Sequence, residues 1–184
     1  MTRMLAVLLA SALLAGCGEG DDAPSSPTPA PQRDAPTAEG TGYAVEPPEG
    51  FRDVTSSFDR SAIRIDLAYA ERPGSGFATN FLVIREEPGG AVELDDVMAT
   101  FTKQAEGQAT DAGISEIEDR ELDGVPAKTY SFRSRNDERG PVHQRQVVAV
   151  KDGAIYTITW SVAADEFEAQ EATLDRTLAS WRWS

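Results

Sequence analysis

Cys17 is the one residue whose type and position specify a covalent reaction. It is the only cysteine in the 184-residue chain, and it follows Leu14-Ala15-Gly16 directly. An ionised thiol is a strong nucleophile, and here the matching reaction is alkylation of sulfur by a diacylglyceryl group. The small residues before it leave room for a peptidase to cut at its amide. The segment ahead of it has the right form: a positive start at Arg3, then an apolar run from Met4 to Leu14. That is the pattern of a secretory signal peptide. The run falls short of the roughly 20 apolar residues that cross a bilayer, so residues 1–16 are expected to be removed.

Leu-Ala-Gly-Cys resembles the bacterial lipobox. The expectation is an exported lipoprotein whose N-terminus is the acylated (palmitate-type) Cys17, held outside the cytoplasm at the cell membrane. One acyl chain binds membranes only marginally, at about 0.8 kcal/mol per buried CH₂; two chains make the attachment durable. With Cys17 consumed no thiol remains for a disulfide, so the domain must rely on its apolar core.

Other reactive residues are sparse. His143 is the only histidine. On a strand it shares a face with Arg145, Val147, Ala149 and Lys151, with no carboxylate to orient it and no nucleophile beside it. It reads as a surface strand residue, and no catalytic residue is assigned. Glu116, Glu118, Asp119 and Glu121 lack the regular spacing of a calcium loop and read as a solvated strand and turn. No metal site or cofactor is expected. Gly74, Gly76, Gly89 and Gly90 fit turns, without the Gly-Lys-Ser/Thr of a phosphate loop. The net charge of −14 repels nucleic acid, which is excluded as a partner.

These residues need elements to position them. Residues 17–41 carry five prolines among small and acidic residues and no aromatic or branched aliphatic side chain. Such a segment buries too little apolar surface to order itself, and it reads as a tether of roughly 27 Å. Residues 42–184 form a single domain. Tyr43 to Glu46 is a short strand. From Ala62 to Glu71, Ile63, Ile65, Leu67 and Tyr69 alternate on one face of a half-buried strand. Phe77 to Arg85 is a more continuous strand. Leu94, Val97, Met98, Phe101 and Ala105 then recur at helical spacing, predicting a helix over Leu94–Ala109. Strands return at Ile114–Glu121, Val125–Arg133, Val142–Lys151 and Ala154–Val162. Asp123-Gly124 and Asp152-Gly153 supply the hairpin turns. In the last strand Tyr156, Ile158, Trp160 and Val162 oppose Thr157, Thr159 and Ser161. A closing helix runs from Glu166 to Ala179, with Asp165 and Glu168 as an approximate capping pair.

The order of elements, with Gly42-Tyr43, Leu122-Asp123-Gly124-Val125-Pro126-Ala127, Tyr156-Thr157-Ile158-Thr159-Trp160 and Leu178-Ala179-Ser180-Trp181, resembles the PsbP-like fold. Within it the chain is similar to the LpqN-type lipoproteins of actinobacteria. The resemblance implies an α+β class: a twisted antiparallel sheet of about six to seven strands packed with two main helices. It also implies a non-enzymatic binding or accessory role, with no functional residue to transfer. A sheet of seven strands at about 4.8 Å spacing is roughly 34 Å wide, more than two helices about 10 Å across can cover on both faces. An apolar groove lined by Tyr130, Tyr156 and Trp160 is therefore the candidate ligand site, suited to an envelope lipid or glycolipid. The alternative partner is an envelope protein, docked on an exposed tryptophan. Trp181 and Trp183 flank Arg182, so one is expected to pack inward and Trp183 to lie exposed.

Overall fold

The computed structural model describes residues 37–58, 65–72, 77–110, 113–136 and 140–184. The signal segment, Cys17 and most of the tether lie outside the described residues. Among the described residues ten strands and two α-helices follow in chain order, with a 3-10 turn at Thr55–Ser57: β1 (Ala38–Gly40), β2 (Tyr43–Val45), β3 (Arg52–Asp53), β4 (Ile65–Ala70), β5 (Asn80–Glu86), α1 (Leu94–Glu106), β6 (Glu118–Leu122), β7 (Val125–Asn136), β8 (Gly140–Lys151), β9 (Ala154–Ala163), α2 (Phe167–Ala179) and β10 (Arg182–Trp183). A seven-stranded sheet runs β3-β4-β5-β9-β8-β7-β6, and a small sheet runs β1-β2-β10. Every pairing is antiparallel.

Local signals place β6 to β9. Asp123 and Gly124 have φ of 46° and 79°, Asp152 and Gly153 of 52° and 77°, as the tight turn of a two-residue hairpin requires. Gly153→Ala puts a side chain into this left-handed conformation and is expected to cost about 1–2 kcal/mol, read as a lower urea midpoint.

The helices pack on opposite faces. Phe167, Leu174 and Leu178 of α2 join Val147, Tyr156, Ile158, Trp160 and Val162, with Tyr43, Val45 and Trp181 completing the cluster. Val97, Met98, Phe101 and Ala105 of α1 lie against Tyr130, Phe132, Val148 and Ile155. A separate cluster on the α1 side joins Ile65, Ala68, Leu82 and Ile84, with Val54 and Phe58 against it. The small sheet and the 54–58 segment thus add cover that a two-helix estimate leaves out. On the α2 side the aromatic surface is packed rather than open.

Four local expectations are corrected. The ordered domain begins before residue 42: Ala38–Gly40 pairs with Tyr43–Val45, and Thr41 donates from N and Oγ1 to the Asp66 carboxylate at 2.8 and 2.7 Å. In β4, Ile65 and Leu67 fall on opposite faces, because a bulge shifts the register between them and reverses the alternation. The 114–121 strand is ordered as a ladder only over Glu118–Leu122, with an isolated bridge from Ile114 to Phe132. No side-chain cap bond forms at the start of α2, where Glu166 is already in helical backbone geometry, so Asp165 and Glu168 do not act as a capping pair.

Candidate functional site

The three predicted ligand residues do not share a surface. Tyr156 and Trp160 are buried on the α2 face. Trp160 lies between Phe51 and Phe81, at ring distances of 5.5 and 6.2 Å. The Tyr156 hydroxyl donates to Thr41 O at 3.2 Å and accepts from Arg85 Nε at 3.2 Å. Tyr130 is buried under α1 on the other face, where its hydroxyl donates to Gln146 Oε1. Burial pushes the Tyr130 hydroxyl pKa up, so it stays a donor. The single groove expected across these three residues is replaced by two faces, and only Tyr130 borders the unusual one.

That face carries a polar seam. β9 is the middle strand, between β5 and β8. Thr157 pairs with Ile84 and Val148, Thr159 with Leu82 and Gln146, and Ser161 with Asn80 and Gln144. Thr157, Thr159 and Ser161 take the face of β9 opposite Tyr156, Ile158, Trp160 and Val162, as the alternation predicts. All three are buried although polar, as are Gln144 and Gln146. The seam separates the α1 cluster from the Ile65–Ile84 cluster, so an apolar group stands on each side. Most buried polar atoms in proteins find a partner; here Thr157 Oγ1 and Gln144 Oε1 have none.

Charge is scarce near it. On this face Lys128 of β7 is engaged by Asp119 at 2.8 Å and by Asp95 of α1 at 3.4 Å. Glu86, at the end of β5, is half-buried, and desolvation raises its carboxyl pKa. Among the described residues the seam presents hydroxyls and amides rather than free ions. That composition suits hydrogen bonding to an uncharged polar group and supplies no nucleophile–base pair.

The remaining sequence candidates have structural settings. His143 is not a surface residue: it is half-buried, and its ring stacks on Phe167 at 3.5 Å. Trp181 is fully buried, as expected. Trp183 is half-buried rather than exposed; its Nε1 donates to Leu122 O at 2.6 Å, and its ring meets Tyr156 at 4.8 Å. Asp123 Oδ2 accepts from Trp183 N at 2.9 Å, so the predicted hairpin turn also holds the C-terminal strand. Glu116, Glu118, Asp119 and Glu121 are exposed on and beside the edge strand β6. No cluster of three metal-ligating side chains occurs among the described residues, and no helix among them is long and apolar enough to cross a membrane.

A seven-stranded antiparallel sheet, one helix inserted before a four-strand meander and a second after it define an α+β PsbP-like architecture. The PsbP family model matches residues 86–183, more than half of the chain, and the protein belongs to that family. No curated protein sequence matches it. Among solved structures it is similar to the cyanobacterial PsbP (CyanoP) of Synechocystis sp. PCC 6803, at TM-score 0.59 and 19% identity over 85% of this chain and 98% of that one. It is also similar to LpqN of Mycobacterium tuberculosis, at TM-score 0.53 and 12% identity over 78% and 84%. A Pseudomonas aeruginosa protein, PA94, matches at TM-score 0.51 and 17% identity over 77% and 91%. At these identities the likeness is one of fold.

Proposed function

We propose that this protein is a lipid-anchored, non-catalytic binding module of the cell envelope. Its ligand is an envelope lipid or glycolipid whose uncharged polar part meets the seam on the α1 face. The observation that carries this reading is the pair of buried, unpartnered groups, Thr157 Oγ1 and Gln144 Oε1, set between two apolar clusters. A ligand with hydroxyls satisfies the polar atoms, and its apolar part has hydrophobic side chains on either side. The anchor rests on Leu14-Ala15-Gly16-Cys17. The fold is shared with LpqN, a protein described as involved in cell envelope biogenesis, which supports an envelope role. The rival reading, a protein-assembly module, calls for an exposed apolar patch. Ile117, 41% exposed, is the one large exposed hydrophobic among the described residues, so the ligand reading is favoured.

The test uses the full chain produced in a lipoprotein-processing bacterium. Cys17→Ser is expected to move the protein out of the membrane fraction and abolish palmitate labelling. Native mass spectrometry of detergent-extracted wild type should retain a lipid-sized adduct that Thr157→Val and Gln144→Leu lose. Free of ligand, Thr157→Val should be more stable by about 1 kcal/mol, because it removes a buried hydroxyl that bonds to nothing. A destabilised Thr157→Val with an unchanged adduct would assign that hydroxyl to the fold and end the reading.

A further inference from the structure

Helix α2 is docked by two kinds of contact. Leu174, Leu178 and the following Trp181 hold its C-terminal half in the large apolar cluster. Its N-terminal half adds one residue to that cluster, Phe167, and otherwise rests on charged and titratable groups. The Phe167 ring lies on His143 of β8, with centroids 3.5 Å apart and planes 19° apart. Arg145 Nη2 donates to Glu171 Oε1 at 2.7 Å, and its guanidinium carbon lies 5.0 Å from the Phe167 ring centre. Among the described residues three charged groups face His143: Arg133, its cross-strand neighbour on β7; Arg145, two residues along β8; and Glu171, from α2. From β9 the facing residue is Val162. The Nδ1 atom of His143 is buried with no partner, so an imidazolium, with a proton on each ring nitrogen, would leave that N–H without an acceptor.

We infer that α2 is an acid-released flap: protonation of His143 lifts its N-terminal half from the sheet while Leu174, Leu178 and Trp181 keep the C-terminal half docked. Charging the ring in place sets a cation, half-buried, beside two arginines; among the described residues only Glu171 opposes it, and Glu171 is already bonded to Arg145. Opening lets the ring reach water and parts it from Phe167. Burial foremost, then Arg133 and Arg145, holds the His143 pKa down to about 4 from the ordinary 6.5. The sign follows. Below pH 6.5 the open form binds a proton that the closed form refuses, so opening gains as pH falls, and the gain ends near pH 4 where both forms are charged. With one proton involved, the opening constant rises by up to about tenfold per pH unit in that window.

Hydrogen exchange on the mature protein, corrected for intrinsic rates, reads this directly. Between pH 6.5 and 4.5, amides 170–173 in wild type should lose protection by close to tenfold per unit. In His143→Gln the dependence should flatten, and amides 98–105 of α1 should hold their protection throughout. Because His143 is the only histidine, its ring protons give one unambiguous NMR titration, expected to centre near pH 4 even if the variant folds poorly. A midpoint above 6 overturns the inference. So does an unchanged slope in His143→Gln, or a simultaneous loss of protection in α1 and α2, which would mean global unfolding.

Discussion

Trp181→Ala is expected to lower the stability of the domain by about 4 kcal/mol, near the middle of the range for deleting a buried large aromatic. Trp181 is 0% exposed. Its ring stacks on Tyr43 at 4.0 Å with planes 7° apart, and it meets Trp183 edge-on at 5.2 Å. Aromatic pairs of this kind contribute about 0.5–1.5 kcal/mol beyond the area they bury. The position also joins the first and last parts of the described domain, since Tyr43 lies on β2 and the next residues form β10, which pairs with it. A hole there frees Arg182–Trp183 as well as emptying the core. With urea slopes of about 1–3 kcal/mol/M for small proteins, the midpoint should fall by roughly 2 M. Trp181→Phe should lose much less, because it keeps a ring on Tyr43 and removes a buried indole N–H that has no acceptor. Equal losses from Ala and Phe would mean that the stack contributes nothing.

Gly40→Ala is expected to be nearly as damaging, although it adds only a methyl group. The ring and hydroxyl of Tyr43 fold directly over Gly40, and a Cβ there would overlap Tyr43 Cζ, Cε1 and Oη. Backbone conformation is not the obstacle, since Gly40 is absent from the glycines with positive φ. The Tyr43 ring has nowhere to retreat: Trp181 stacks on it, and Tyr156 and Trp183 meet its edges at 5.9 and 6.5 Å. Overpacking typically costs about 1–3 kcal/mol, and displacing a ring with three aromatic neighbours puts this site at the top of that range. The check is a double-mutant cycle. Tyr43→Leu alone should be destabilising, but Gly40→Ala added to it should cost under about 1 kcal/mol, giving a coupling of roughly 2 kcal/mol. Additive effects would show that the methyl acts elsewhere.

Neither residue stands out as sequence. Gly40 lies in a stretch that reads as tether, because composition reports a segment's own capacity to bury surface. It does not report a partner 25 residues away, such as Asp66 for Thr41. That one of Trp181 and Trp183 packs inward was legible from their places on either side of Arg182, but the Trp181 stack on Tyr43 joins residues 138 positions apart. The polar seam was hidden for the same reason. Thr157, Thr159 and Ser161 alternate with large apolar residues, and alternation alone assigns the smaller polar side chains to solvent. They are buried because β5 pairs with β9 across α1 and three intervening strands, which makes β9 central. His143 similarly read as a surface residue until α2 set Phe167 on its ring.

What the chain determined by itself is local. Asp-Gly pairs with positive φ made two hairpins, the three- and four-residue apolar spacing made α1 and α2, and period-two runs made the long strands. Motif order was enough to point to the PsbP-like α+β class. Tertiary structure alone decided which strand is central and that Ile65 and Leu67 of β4 lie on opposite faces across the bulge. It also set the Tyr43 ring over Gly40 and left two polar groups of the seam without partners. The physical reason is one of range: turn and helix preferences act over a few residues, whereas burial and hydrogen-bond satisfaction depend on strands and rings brought together from distant parts of the chain.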